Sequence, residues 1–159
     1  MSSPGSSFTH LDQQGSAKMV DVSEKPVSRR VAEASCRVLL SAPTVIRLSS
    51  LPKGDAFAVA RLAGIQAAKR TSELIPLAHP LQLDQVEVEL RPIPEGIEIR
   101  SRVVVTARTG AEMEALLACS TAALALYDMV KAIERGAVVT DLQLEAKSGG
   151  QRGSYRRGA

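Results

Sequence analysis

"LDQVEVELRPIPEGIEIRSRVVVT", residues 83 to 106, alternates apolar and polar positions on both sides of a break rich in Pro and Gly. A period of two turns one face of a strand to the core and the other to water. Two such runs joined by the short link "PIPEG" make an antiparallel hairpin. Across it, Glu87 and Glu89 can meet Arg100 and Arg102 as solvated cross-strand pairs. Upstream, "VAEASCRVLLS" (31–41) alternates in the same way, with Ala32, Ala34, Cys36, Val38 and Leu40 on one face. "VVTDLQLEAKS" (138–148) reads as a last strand, and "MVDVS" (19–23) as a short first one.

Between the strands the period changes. From Asp55, an N-cap residue, the positions Phe57, Ala60, Leu62, Ala63, Ile65 and Ala67 form one helical face that runs to about Leu74. "APTVIRLSS" (42–50) reads as a shorter helix. The longest helix is "GAEMEALLACSTAALALYDMVKAIERG" (110–136), with Gly136 placed as its stop. The order β-β-α-α-β-β-α-β is that of an α+β protein. A ferredoxin-like sandwich, an antiparallel sheet with its helices packed on one face, is the expected member of that class.

A chain of 159 residues forms one domain with an ordinary core. Aromatic residues make up 3% and Trp is absent, so the core is built from Val, Leu, Ile and Ala. The same shortage speaks against single-stranded nucleic-acid recognition, which stacks bases on aromatic rings. No specific nucleic-acid partner is expected. Cys36 and Cys119 lack the spacing of a zinc site and read as small core residues in a reducing compartment. "MSSPGSSFTHLDQQGSAK" has no apolar stretch of signal-peptide length, and no run approaches the ~18 apolar residues of a membrane span. A cytoplasmic protein without a membrane partner is expected. The formal net charge is +3, and "KSGGQRGSYRRGA" carries Lys147, Arg152, Arg156 and Arg157 without an acid. The expected organisation is a flexible lead (1–17), one α+β domain (18–147) and a basic, flexible tail (148–159) that could also fold over an anionic ligand.

Along the longest helix Glu114, Thr121, Asp128 and Arg135 recur every seven residues, which places them on one stripe. Lys131 joins Asp128 at i,i+3. Nearly all the rest of this helix is apolar, so the stripe faces solvent, a cavity or another subunit. Glu114 and Asp128 lie ~21 Å apart along the axis at 1.5 Å per residue. If both serve one compact ligand, the site lies between subunits, and the Ala-rich face lets another helix approach. A second feature is "SELIPLAHPLQLDQ" (72–85), where His79 stands between Pro76 and Pro80. It is either a turn histidine with satisfied ring nitrogens or a cation held over a site.

Five stretches then carry a resemblance: "KMVDVS" (18–23), "KGDAFAVARLAGIQAAKRTSELIPLAHPL" (53–81), "TGAEMEAL" (109–116), "ALALYDMVKAI" (123–133) and "LEAKSGG" (144–150). Together the chain resembles the cyclic pyranopterin monophosphate synthases, the molybdenum cofactor biosynthesis protein C family, over about residues 8 to 150. The resemblance implies a lyase acting on a cyclised guanosine triphosphate, with diphosphate released. It also implies a ferredoxin-like subunit in a homohexamer, a trimer of dimers with sites at the dimer interfaces. No cofactor is implied, although Mg²⁺ accompanying the triphosphate stays open.

Residue by residue, "LAHP" brings Leu77, Ala78 and His79 to the site. Ala78 stands where the family commonly has cysteine, which leaves a backbone contact there. "EMEAL" brings Glu112, Met113 and Glu114 to the ring end of the pocket, and "YDMVK" brings Asp128 and Lys131 as an acid–base pair. Lys53 and Lys147 follow from "KGD" and "AKSGG", and Arg30 is carried over with Arg29 beside it. Ring opening and re-closure need proton transfers, which a carboxylate beside an ammonium can supply. Lys53, Lys147, Arg30 and His79 suit a departing diphosphate. The catalytic set expected is Asp128, Lys131, Lys53 and His79. The alternatives are a non-catalytic nucleotide- or RNA-binding oligomeric module and a structural oligomer.

Overall fold

The computed structural model describes residues 14–151 and 153–158, so most of the expected lead lies outside the described residues. Its elements are β1 (Ser28–Leu39), α1 (Ala42–Arg47), α2 (Ala56–Lys69), α3 (Thr71–Leu74), β2 (Gln85–Ile93), β3 (Gly96–Ala107), α4 (Glu112–Val130), β4 (Val138–Ser148) and β5 (Tyr155–Arg156). The sheet order is β2-β3-β1-β4-β5 with all neighbours antiparallel. β2 therefore runs parallel to β1 one strand away, and β4 runs parallel to β3. Helices α2 and α4 make these two crossovers and pack on one face of the sheet. This is the expected α+β, ferredoxin-like arrangement.

The hairpin register is the one the charge pattern calls for: Glu87 faces Arg102 and Glu89 faces Arg100. Arg102 lies between Glu87 (4.0 Å) and Glu33 of β1 (3.5 Å), whereas Arg100 pairs along its own strand with Glu98 at 3.0 Å. Such exposed pairs add little stability and keep this face wetted. Pro92 sits in β2, tolerated because β2 is an edge strand.

The opposite face is the core. Ala32, Ala34, Cys36 and Val38 of β1 and Ile97, Ile99, Val103 and Val105 of β3 are buried beneath Ala115, Ala118, Cys119, Ala122 and Leu126 of α4. The one hydroxyl in this β3 series, Ser101, donates to the Ala115 carbonyl at 2.7 Å and is thereby satisfied. Asp55 caps α2 as expected, accepting from the N–H groups of Phe57 (2.9 Å) and Ala58 (3.0 Å). α4 is long and apolar enough to cross a membrane, yet half of that stretch is buried against this protein's own sheet and α2.

Three expectations change. "MVDVS" forms no strand: both edges of β1 are already taken, and the segment is held by side chains instead. The longest helix stops at Val130 rather than Gly136. Beyond it, Glu134 accepts from the backbone N–H (3.0 Å) and hydroxyl (2.9 Å) of Ser41, a tertiary anchor that turns the chain toward β4. Arg135 thus leaves the helical stripe. The helix expected to run from Asp55 to Leu74 breaks at Arg70 into α2 and α3. In the carboxy-terminal segment, Tyr155 and Arg156 pair with Lys147 and Ala146, and the Arg157 N–H donates to Glu145 O at 2.8 Å.

α2 meets α4 at Gly64, where an added Cβ would lie 2.7 Å from the Ala118 carbonyl oxygen. Helix propensity favours Ala over Gly by about 1 kcal/mol. The contact overrides that gain, because the two helices must part. Gly64→Ala is expected to lose about 1–3 kcal/mol of stability net, read by urea unfolding at fixed protein concentration. A stabilised variant would show that the interface can yield.

Candidate active site

A cavity of about 620 Å³ opens where the start of α4 meets the 75–81 turn, the 20–25 segment and the end of β4. Leu77, Ala78, His79, Arg30, Glu112, Met113, Glu114 and Lys147 all line it. Arg29 does not, so the structure distinguishes the two neighbouring arginines.

The walls are built by side chains that hold backbone carbonyls. The Ala78 N–H donates to Ile75 O at 3.0 Å, tightening the turn between Pro76 and Pro80. His79 lies 2.8 Å through Nε2 from the Val20 carbonyl. A carbonyl only accepts, so the ring proton is on Nε2 and the histidine ties the 20–25 segment down. Arg30 donates from Nε to Ala107 O (3.1 Å) and from Nη2 to Arg108 O (3.0 Å). Its guanidinium lies against Gly150, where a Cβ would collide with it and where φ is +76°. That explains the glycine after "AKSG": the backbone needs both the left-handed conformation and the space.

The electrostatics are polarised. Lys147 pairs with Glu112 at 2.8 Å, and Lys25, Arg30 and Arg108 stand with it around the cavity. Toward the first turn of α4 lies Glu114, only 3% exposed, and its burial pushes the carboxyl up to about 7. A ligand with an anionic end and a hydrogen-bond-donating ring edge fits this gradient. Lys25 and Arg108 were missed from sequence, although each flanks a quoted motif. Their positions, Lys25 two residues after "MVDVS" and Arg108 just before "TGAEMEAL", were the available signal.

Lys53, Asp128 and Lys131 are not in this cavity. They cluster at the far end of α4, where Asp128 is 2.7 Å from Lys131 Nζ and 3.6 Å from Lys53 Nζ. Lys53 also donates to the Asp128 carbonyl at 2.8 Å. In this chain the hydrogen bond from Lys131 holds the Asp128 carboxyl below its usual range, and Asp128 raises the Lys131 ammonium. All three side chains are roughly half exposed. Among the described residues no cluster of three His, Cys, Asp or Glu side chains could hold a metal ion.

Glu114 gives a pH-dependent stability. Its folded pKa, about 7, lies above the 4.5 of a free glutamate side chain. Between those values the folded chain keeps a proton that the unfolded chain loses, so stability falls as pH rises through this window and stays reduced above it. Glu114→Gln removes the cost of the buried charge. At pH 8 it is expected to unfold ~1–3 kcal/mol later than wild type, and at about pH 4.5 the two should nearly coincide, by urea titration. A difference independent of pH would contradict the buried-carboxylate account.

Comparison with known proteins agrees with the geometry. The MoaC family model matches residues 19–150. A Streptomyces griseus protein named cyclic pyranopterin monophosphate synthase is 57% identical over 155 residues, covering 96% of this chain and 87% of its own. One of the same name from Thermomicrobium roseum is 53% identical over 154 residues, covering 94% and 93% of the two chains. Cyclic pyranopterin monophosphate synthase 1 from Mycobacterium tuberculosis is 51% identical over 156 residues, covering 96% and 91%. With the family model spanning the domain and relatives above half identity over nearly the full length, the chain belongs to the MoaC family.

Proposed function

We propose that this chain converts (8S)-3′,8-cyclo-7,8-dihydroguanosine 5′-triphosphate to cyclic pyranopterin monophosphate and diphosphate, in molybdenum cofactor biosynthesis. The observation that carries this reading is the polarised cavity, with a buried carboxylate at one end and cations around it. A guanine-derived ring presents an amide N–H and an exocyclic amine on one edge, which suit Glu112 and Glu114 as acceptors. Lys147 and His79 would meet the phosphates at the end of the cavity whose wall Arg30 holds, and Leu77, Ala78 and Met113 would pack against the ring. A non-catalytic nucleotide- or RNA-binding module is not favoured, because the relatives are named as synthases.

Asp128, Lys131 and Lys53 complete the chemistry in this reading. Asp128 lies ~21 Å along α4 from Glu114 with Lys131 and Lys53 beside it, too far for one compact substrate. A second subunit therefore brings its far end of the helix over the cavity, in a trimer of dimers. Exposed in one chain, Asp128 and Lys131 form an ordinary charged pair. Buried at an interface, the ammonium would give up its proton more readily and the carboxylate would hold one more readily. That is what alternating general acid and base steps require. The ammonium groups would also stabilise the departing diphosphate. Leu124 on α4 and Leu62 on α2 are exposed apolar residues available to such an interface. The two buried free thiols fit a cytoplasmic location.

The test is turnover of the cyclised substrate with diphosphate release. Asp128→Ala and Lys131→Ala should each abolish product while leaving a folded oligomer. Glu114→Ala and Asp128→Ala, each nearly inactive alone, should complement after mixed reassembly. Random dimers place both groups in one site of each mixed dimer, restoring roughly a quarter of wild-type activity. Mixtures no more active than their parents, with exchange confirmed by mass spectrometry, would refute a site shared in this way.

A further inference from the structure

Arg30 and Arg108 both line the cavity, but they commit their hydrogen bonds differently. Arg30 is half-buried, turns Nε and Nη2 onto the carbonyls of Ala107 and Arg108, and packs Nη1 against Gly150. It is a strut, with two of its three nitrogens bonded to the cavity wall. Arg108 is exposed, and among the described residues its side chain commits Nε alone, to the Lys25 carbonyl at 3.2 Å. That single bond restrains the guanidinium and leaves both terminal amino groups for a ligand. A planar pair of N–H donors is the geometry that grips phosphate oxygens two at a time. Arg108 is also anchored through its backbone, since its own carbonyl is the one Arg30 holds. It sits just ahead of the Thr109–Gly110 link into α4, within the same cavity as Lys147. Pre-positioning of this kind lowers the entropic cost of gripping an anion.

We infer that Arg108 binds the ligand's phosphate groups directly, and that Arg30 acts on it as a positioning residue through the Ala107–Arg108 backbone. The inference rests on reading the cavity as the substrate site. It adds a residue that the family motifs quoted above do not contain, and it separates two arginines that look equivalent in sequence.

The experiment uses the full chain, with inorganic diphosphate as the calorimetric probe and the cyclised substrate for kinetics. Arg108→Ala is expected to weaken diphosphate binding and raise KM by about tenfold to a hundredfold, with kcat changed far less. Arg108→Lys should recover part of that loss, because it restores the charge without the fork. Both variants should stay folded, with melting temperatures lowered by at most a few degrees for the one lost bond to Lys25 O. Arg30→Ala should instead lower kcat and melting temperature together, as the cavity wall loosens. Arg108→Ala with wild-type diphosphate affinity and KM would overturn the inference. So would losses that appear only with a collapse in melting temperature in both Arg108 variants. Wild-type protein that neither binds diphosphate nor turns over the substrate would instead overturn the proposed function, taking this inference with it.

Discussion

The Ala-rich face of α4, seated on β1 and β3, is the contact on which the rest of the structure depends. Ala115, Ala118 and Ala122 are fully buried there, and Gly64 of α2 meets the same helix from the side. Small side chains bring the backbones close, so a rigid nineteen-residue rod is fixed on the sheet. Its first turn enters the cavity with Glu112, Met113 and Glu114, and its last carries Asp128. The packing thereby sets how far apart the two groups of candidate side chains lie.

Around that rod the cavity is made of loops, and loops need their polar backbone groups satisfied. Here side chains do this: His79 takes Val20 O, Arg30 takes the carbonyls of Ala107 and Arg108, and Arg108 takes Lys25 O. Each bond is modest alone, about 1 kcal/mol, more where the donor is charged. In series they connect four stretches distant in sequence. The same residues that face a ligand therefore also hold the wall.

The two carboxylates on the α4 stripe have opposite environments. Glu114 is buried at the cavity end, where desolvation raises its pKa, and Asp128 is exposed between two lysines, which lower it. Identical spacing on a helix says nothing about this difference. An exposed lysine–aspartate pair contributes little to folding, so the stability of the fold gives no reason for having Lys53, Asp128 and Lys131 together.

Periodicity alone determined the hairpin, β1, α2, the long helix and the α+β class, because burial of one face imposes a repeat that local sequence must obey. The charges also set Glu87 and Glu89 against Arg100 and Arg102, and the tertiary structure decided the register, Glu87 opposite Arg102 and Glu89 opposite Arg100. The resemblance supplied the candidate site residues, and eight of them meet in one cavity. Other features have no local signature. "MVDVS" alternates like a strand, yet no sheet edge takes it, and His79 holds it instead. The helix pattern runs on past Val130, but Glu134 finds Ser41 across the fold and ends it. Arg108 and Lys25 carry no pattern, and they meet at the cavity because Arg108 bonds the Lys25 carbonyl while Arg30 holds the carbonyl of Arg108. Periodicity reports which face is buried, whereas long-range hydrogen bonds decide which loops meet, and only the tertiary structure contains those.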